Sequence, residues 1–490
     1  MRKPAPDAPR GTRLSDTGNA ERFVMQHGAD LRYCYRWNAW ICFTGTHWRK
    51  DESGEVERRA KATVKQMLAE AFAATDGGDR DRLAKHALRS DHKARIQAMI
   101  DLARSEPGIA IAPEDFDVDE MLLTVRNGTI DLRTGQIREH RREDYITKRV
   151  PCAYDPAAKY ERFAAFLVHI LASDADLIGF LQRAVGYTLT GSIREHCFFL
   201  LHGGGANGKS TLLEVLRKLL GDLATNADFA TFLERKSERG PRDLARFFGA
   251  RLVTAIESNE GRRFDESALK SITGGDTITA CEIYEKSFEF TPTFKIWLAA
   301  NHRPVVRGTD GGMWRRIRLI PFQVDIPESE WDKELKTKLL AELPGILRWA
   351  VEGCLAWQRD GLGSPERVAS ATAAYRAEMD VLGDFLRDRC EVGRGFTVSA
   401  SALYAAYKAW AADAGEHAIS SKALSTKLLD RGFHRAKSGT VTYSGLRVSP
   451  DDSGRSGPYV QNLPMREDIG GFQTFLPDRP ESSGIVTERA

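Results

Sequence analysis

From residue 196 to 322 short apolar runs alternate with helical and polar segments. CFFLLHG, RLVTAIES, FKIWLAANH and RIRLIPF are of strand length and almost continuously apolar. That pattern predicts strands buried on both faces of an α/β sheet. Upstream, residues 158–190 repeat apolar positions at three- and four-residue spacing and predict helices. Earlier still, RYCYRWNAWICFTGTHWRKDESGEV alternates aromatic and polar residues between turn signals. It predicts short antiparallel strands, with Trp37, Trp40 and Trp48 as core rather than base-stacking groups. AKATVKQMLAEAFAA predicts a helix. NGTIDLRTGQIREH (127–140) predicts a hairpin, with Asn127-Gly128 and Thr134-Gly135 as turn pairs.

After 365 the pattern changes. A helix near 400–414 places Leu403, Tyr407 and Trp410 on one face. SSKALSTKLLDRG adds a second helix ending at Gly432, and HRAKSGTVTYSGLRV reads as a hairpin. Helices followed by a two-stranded wing suggest a winged helix-turn-helix. Lys422, Lys427 and Arg431 lie on the second helix, and Arg435 and Lys437 on the wing. They read equally as a DNA contact or as a solvated basic face. The expected layout is a flexible arm (1–18), an α+β N-terminal domain (19–150), a helical collar (151–192), an α/β domain (193–365), the winged helix (366–450) and a flexible tail (451–490).

Composition narrows this. A chain of 490 residues is too long for one core. Its net charge of +3 requires any nucleic-acid contact to come from local patches. The seven cysteines are dispersed with no C-x-x-C pair, which argues against a zinc site and for reduced thiols in a cytoplasmic protein. The first residues, MRKPAPDAPRGTRLSDTG, have no apolar core, so no signal peptide is expected, and no run is long enough to predict a membrane span. Asp117 and Asp119 could hold metal in pairs, but they sit in the acidic stretch PEDFDVDE without a third carboxylate, so a solvated loop is expected.

HGGGANGKST (202–211) satisfies G-x-x-x-x-G-K-[ST] through Gly203, Gly208, Lys209 and Ser210. A strand-like run precedes it and a helical run, TLLEVLRKLLG, follows. In that setting the backbone of Gly203, Gly204, Gly205, Ala206, Asn207 and Gly208 can turn N–H groups onto phosphates. Lys209 would reach the β- and γ-phosphates, Ser210 would ligate Mg²⁺, and Thr211 continues the cradle. The chain lacks the N-K-x-D element of a GTPase. RLVTAIESNEG then ends an apolar strand in Glu257, with Glu260 a second candidate acid. Either could polarise the attacking water, and Glu257 could also serve Mg²⁺. Asn301, at the end of FKIWLAANH, is a γ-phosphate sensor or a turn former. Arg315 and Arg316 follow, as an arginine finger or as surface ion pairs. TITACEIY and SFEFTPTFK read as hairpin strands around Tyr284 and Lys286, a tip suited to gripping a nucleic-acid backbone or simply solvated.

In this order and spacing, GGGANGKS, RLVTAIESNEG, LKSITGGD, KIWLAANHRP and GMWRRIRLIPF resemble the superfamily 3 helicases, in the branch of phage, plasmid and poxvirus primase-helicases. NGTIDLRTGQIREHRREDYITKRVPCAYDP is similar to the domain that precedes the helicase in these proteins. The resemblance implies an α/β protein with a P-loop AAA+-like core, assembled as a ring, usually a hexamer, around DNA. Lys209 and Ser210 would then bind ATP and Mg²⁺, Glu257 would serve Walker B, and Asn301 would be the sensor. Arg315 or Arg316 would be the finger, Lys286 falls near the DNA-gripping hairpin, and Lys270 lies in the B′ element. Glu257-Ser258 replaces the paired acids of some helicases, so the choice of base stays open between Glu257 and Glu260. Many relatives carry an archaeo-eukaryotic primase domain at the amino end; neither room nor motif for one is read before residue 115, so priming activity is not expected here and a separate primase is a candidate partner. The expected activity is ATP-dependent DNA unwinding or translocation in replication of a mobile element. The alternatives are an ATP-switched DNA-binding factor for origin recognition or defence, and a protein-remodelling ATPase.

Overall fold

The chain enters its first helix earlier than the polar start predicts. In the computed structural model, which describes residues 13–234, 242–257, 262–281, 287–308, 311–416 and 418–449, α1 (Asp16–His27) begins inside the expected arm. Ser15 caps it by accepting the Gly18 N–H, and Gly18, Asn19 and Ala20 are buried. β1 (Leu31–Cys34), β2 (Ala39–Phe43) and β3 (Trp48–Lys50) form the expected antiparallel sheet. Trp48 is fully buried and stacks on Tyr145, Trp37 stacks on Phe116, and Trp40 meets Phe23 edge-on. All three are packing groups. α2 (Glu55–Ala73), α3 (Gly77–Ser90) and α4 (Lys93–Ala103) close over α1, burying Phe23, Val64, Met67, Ile96 and Met99 together. β4 (Leu122–Val125), β5 (Gly128–Asp131) and β6 (Gln136–Arg138) make a second antiparallel sheet from the predicted hairpin and one strand before it. The Asp117 carboxylate accepts the Thr147 N–H at 2.8 Å, and Asp119 accepts the Met121 N–H and the Arg133 guanidinium. Among the described residues no group of three metal-ligating side chains occurs.

α5 (Glu161–Ile170) and α6 (Ala175–Thr188) divide the long apolar stretch, broken where Ala172 and Ser173 take positive φ. Then follow β7 (Phe198–His202), α7 (Lys209–Leu220), β8 (Ala224–Asn226), α8 (Arg242–Ala245), β9 (Leu252–Ile256), α9 (Glu266–Gly274), β10 (Ile278–Ala280), β11 (Phe288–Phe290), β12 (Lys295–Ala300), α10 (Gly311–Trp314) and β13 (Ile317–Pro321). Five of these strands form a wholly parallel sheet in the order β13-β7-β12-β9-β8. Period-two alternation sends Phe199, Leu201, Trp297 and Ile320 into one core with the leucines of α7. It sends Phe198, Leu200, Leu298 and Leu319 into another with Leu269 and Ile272 of α9 and Met313 of α10. The chain therefore leaves β7 toward one face and β12 toward the other. Adjacent strands whose exits diverge open a crevice at their carboxyl ends. β10 and β11 pair separately, Ile278 opposite Phe290; Pro292 helps to separate β11 from β12, where SFEFTPTFK had read as one strand.

α11 (Leu335–Ala341), α12 (Leu343–Asp360) and α13 (Glu366–Glu378) complete this unit. The expected collar is not a separate layer, because α5 and α6 share the first core with the sheet and α12. α6 and α12 cross with backbone against backbone. A Cβ on Gly186 would lie 2.0 Å from the Cys354 nitrogen, and one on Gly353 2.1 Å from the Gln182 carbonyl oxygen. Gly186→Ala must push the helices apart, an overpacking cost of about 3 kcal/mol. A thermal melt is expected to fall by about 5 °C or more. Gly179→Ala on the same helix, where the new Cβ meets only the Arg183 side chain at 3.7 Å, should not lower it.

Two cations lie buried at the amino ends of β9 and β12. The Lys295 ammonium donates to the carbonyls of Thr190, Ser192 and Thr293 and sits 4.7 Å from the Tyr187 ring centroid. The Arg251 guanidinium donates to the carbonyls of Leu189 at 2.5 Å and Leu122 at 2.8 Å. Burial pushes both below their ordinary pKa values, and the Arg251 charge adds to the shift on Lys295. The carbonyl-rich end of α6 supplies the compensating negative potential.

The chain divides into two compact units after Asp384, not at 365. The reason is α13: it packs on β13, where the Leu319 N–H donates to the Thr372 hydroxyl, and Tyr375 enters the second core. α14 (Val381–Arg389) and α16 (Ser421–Asp430) span the division, Thr426–Arg431 counting with the first unit. The second unit also contains β14 (Cys390–Ser399), α15 (Ala400–Asp413), β15 (His434–Ser438) and β16 (Thr440–Val448), its antiparallel sheet ordered β14-β16-β15. Leu403, Tyr407 and Trp410 are buried as the pattern predicts, with Phe385 against both rings. β14 carries an irregularity between Val392 and Thr397, which hides the strand from a period-two reading. The expected tail and most of the expected arm lie outside the described residues. Among the described residues no single helix is long and apolar enough to cross a membrane.

Candidate active site

The glycine loop joins β7 to α7 at the mouth of the sheet's crevice. Its shape is dictated by close neighbours. Gly208 takes φ +85°, and a Cβ there would lie 2.6 Å from Ile170; a Cβ on Gly203 would lie 2.0 Å from the Phe322 carbonyl oxygen. Gly204 and Gly205 face open space. Ala206 also has positive φ, and Asn207, buried, donates to the carbonyls of Gly204 and Phe322. The loop is therefore pinned at both ends and open in the middle. Ser210 and Thr211 stand on the first turn of α7, Ser210 exposed.

Lys209 is 5% exposed. Its ammonium donates to the carbonyls of Gly203 at 2.9 Å and Gly204 at 2.6 Å and to the Asn207 amide oxygen at 2.8 Å. All three donors are engaged, each by a neutral acceptor. Burial without a counter-charge pulls its pKa down to about 8.

Sheet register aligns the other candidates with the loop. Ala300 pairs with His202, and Ala299 pairs with Ile256. Glu257 and Asn301 thus stand at the same carboxyl edge as Gly203, Asn301 one strand away and Glu257 two, about 10 Å across. The Glu257 carboxylate accepts the His302 N–H at 3.1 Å, and Asn301 is exposed. Glu260 lies outside the described residues.

A cavity of about 820 Å³ opens beside the loop, bounded by His202, Gly203–Gly205, Arg303, the strand end Phe322–Asp325 and one face of α13. Besides Asp325 it carries two arginines that the motif did not indicate. Arg303 and Arg367 both line it, and the His202 imidazole is held down to about 4 by burial and by the charges of Arg303 and Lys209. Sequence reasoning passed over these three. Arg303 had a signal, its place two residues beyond Asn301 in NHRP; Arg367 on α13 had none.

Arg315 and Arg316 lie at the opposite end of the sheet. The Phe198 N–H donates to the Arg316 carbonyl, so the pair marks the amino end of β7, about 16 Å from the loop along the strand. Neither can serve the glycine loop of its own chain. They differ in role. Arg316 is buried, donating to the Thr273 hydroxyl at 3.0 Å and the Gly312 carbonyl at 2.7 Å, whereas Arg315 is exposed. Both border a second cleft of about 480 Å³ with His196, Ser267, Lys270 and Ser271. Lys270, 3.9 Å from Glu266, is thus brought to this cleft.

Tyr284 and Lys286 lie outside the described residues; the antiparallel β10–β11 pair flanks them. Lys422 is exposed on α16. Lys427 is half-buried, its ammonium 3.3 Å from the Arg307 carbonyl and its pKa lowered by burial. Arg431 pairs with Asp380. Only Lys422 of the two α16 lysines keeps the solvent-facing position expected of a backbone contact.

Residues 20–171 match the family described as D5 N terminal like, and residues 377–434 the family described as Poxvirus D5 protein-like. Residues 201–316, which hold the glycine loop, match a family of unknown function. The L207/L206 protein of Acanthamoeba polyphaga mimivirus, which carries a helicase name, is 30% identical over 297 residues, 56% of this chain and 31% of that protein. The 022R protein of Frog virus 3, also helicase-named, is 26% identical over 52% of this chain and 28% of its own length. The primase-named C962R of African swine fever virus is 24% identical over 56% and 31%. The chain spans about a third of the length of the curated relatives it matches. Among solved structures, the NrS-1 C-terminal region superposes with a TM-score of 0.46 at 10% identity, over 88% of this chain and 100% of that one.

Proposed function

We propose, for a chain that belongs to the D5-type primase-helicase family, that it is an ATP-driven DNA helicase or translocase working as a ring. One observation carries this reading. Lys209, Glu257 and Asn301 gather at one end of the parallel sheet, while the exposed Arg315 stands at the other. A hydrolytic site that needs both ends must be assembled from two subunits, and head-to-tail repetition of that contact gives a ring where the rotation closes, as the family resemblance implies.

In this reading the unit is a P-loop AAA+-like core. The loop N–H groups and the α7 N-terminus hold the triphosphate. A phosphate oxygen, being charged, displaces the neutral carbonyls from the Lys209 ammonium, which then neutralises the β- and γ-phosphates. Glu257, its carboxylate fixed by the His302 N–H, accepts the proton of the attacking water, and Asn301 orients that water. Arg315 of the adjacent subunit, entering from the second cleft with Lys270 beside it, stabilises charge on the transferring group. The donor set suits Mg²⁺: the Ser210 hydroxyl would ligate it and Glu257 would hold it through water, which leaves most positions to phosphate and water, as that ion prefers. When bound, it supplies charge neutralisation across the phosphates. The helix–helix–wing order of α15, α16, β15 and β16, with β14 completing the sheet, supports a winged-helix reading and a DNA contact through Lys422.

ATP hydrolysis is expected to rise severalfold with forked DNA, and a labelled strand to be released only with ATP. The assay is phosphate release with strand displacement, alongside a mass measurement of the nucleotide-bound assembly. Nucleotide-dependent DNA binding without displacement would instead favour an ATP-switched DNA-binding factor.

A further inference from the structure

Arg303 stands in the nucleotide cavity. It follows β12 by three residues and borders the same space as His202 and the glycine loop. Its guanidinium pairs with Glu378, at the last turn of α13, and lies 5.7 Å from the Tyr375 ring centroid. Its Nε is buried and has no hydrogen-bond partner among the described residues. Arginine offers five donors in a fork that matches carboxylate or phosphate. Here the Glu378 carboxylate takes a bond from Nη1 and leaves Nε unused. The charge also reaches the loop: Arg303, with Lys209, helps hold the His202 imidazole in its neutral form.

A cation held beside a phosphate cradle by a half-exposed carboxylate is poised to exchange partners. Glu378 is 51% exposed, so its hold is partly screened by water, whereas a terminal phosphate in the cavity carries more charge and can take the fork bidentately. We infer that Arg303 is a second phosphate-binding cation acting within its own subunit. It takes the terminal phosphate of the triphosphate, and Glu378 holds it in place until the nucleotide arrives. The exchange frees the end of α13, whose other residues Ser370, Ala371 and Ala374 wall the cavity. Binding of a triphosphate, but not of a diphosphate, is thereby communicated to that helix.

The inference rests on the nucleotide-site reading, and the two are separable by experiment. Binding of a non-hydrolysable ATP analogue and of ADP, each with Mg²⁺, is measured by calorimetry for wild type, Arg303→Ala, Arg303→Lys and Glu378→Gln, with a thermal melt for each. Wild type is expected to prefer the triphosphate. Arg303→Ala should weaken the analogue about 10- to 100-fold and ADP by less than threefold. Arg303→Lys should recover part of the loss. Glu378→Gln should tighten the analogue about two- to fivefold. If Arg303 and Glu378 form only a structural ion pair, both variants lower the melt and neither changes the ratio of analogue to ADP affinity; that result overturns the inference. Weakening of the analogue by Glu378→Gln overturns the exchange. Failure of wild type to bind either nucleotide instead refutes the site reading itself.

Discussion

Lys209→Ala is expected to lower ATP hydrolysis by about 10²- to 10³-fold while leaving the fold intact. The side chain donates only to oxygens of its own loop, so no contact between elements is lost. Burial without a counter-charge, seen in a pKa of about 8, means the ammonium is not stabilising the protein as it stands. In the proposed function its stabilising partner is the phosphate. The melting temperature should therefore stay within a degree or two of wild type while phosphate release collapses. The variant should retain binding to forked DNA, because the basic residues proposed for that contact are elsewhere. Hydrolysis within tenfold of wild type would remove Lys209 from the mechanism.

Arg315→Ala is expected to reduce turnover by about 10³-fold or more, with nucleotide affinity nearly unchanged, because the finger acts on charge that develops during transfer. Arg316→Ala should behave differently. It breaks bonds to Thr273 and Gly312 that tie α9 and α10 to the sheet, so its first effect is a lower melting temperature. Mixing distinguishes an interface finger from a local one. Subunits carrying Lys209→Ala and subunits carrying Arg315→Ala are each inactive alone, but together they create some interfaces with both groups intact. Recovery of phosphate release on mixing is the expected result; no recovery, with assembly demonstrated, would place the action of Arg315 elsewhere.

How far the fold was legible depended on how local its causes are. The central strands were plain because each is buried on both faces, which leaves a continuous apolar run. The glycine loop was plain because its backbone demands small residues at fixed positions. The sheet order was not, since nothing in RLVTAIES says that β12, rather than β9, lies beside β7. That order sets Asn301 one strand and Glu257 two strands from the loop, while the shared parallel direction leaves Arg315, which precedes β13, at the far end. The adjacent arginines looked equivalent in sequence and became distinct only when Thr273 and Gly312 were found around Arg316. α3 was passed over because GDRDRLAKHALRSDHKAR is half charged, with a narrow apolar stripe; α4 had a signal, Ile96, Met99, Ile100 and Ala103 at helical spacing. The boundary expected at 365 falls on a Gly-Ser-Pro turn that does separate two helices, but α13 is retained by the sheet through contacts that the hydrophobic pattern does not report.

The buried cations Lys295 and Arg251 bear on where this chain can be cut. The α/β domain expected at 193–365 contains both of them, yet four of the five carbonyls that satisfy them, on Leu122, Leu189, Thr190 and Ser192, belong to residues before 193. A fragment beginning at 193 would keep two charges at the base of its sheet and lose most of their acceptors, a loss that typically costs several kcal/mol. The parallel-sheet region and the region before it are therefore one folding unit held by main-chain oxygens, and exchange of this sheet between relatives has to carry the strand at Leu122 and the end of α6 along with the glycine loop.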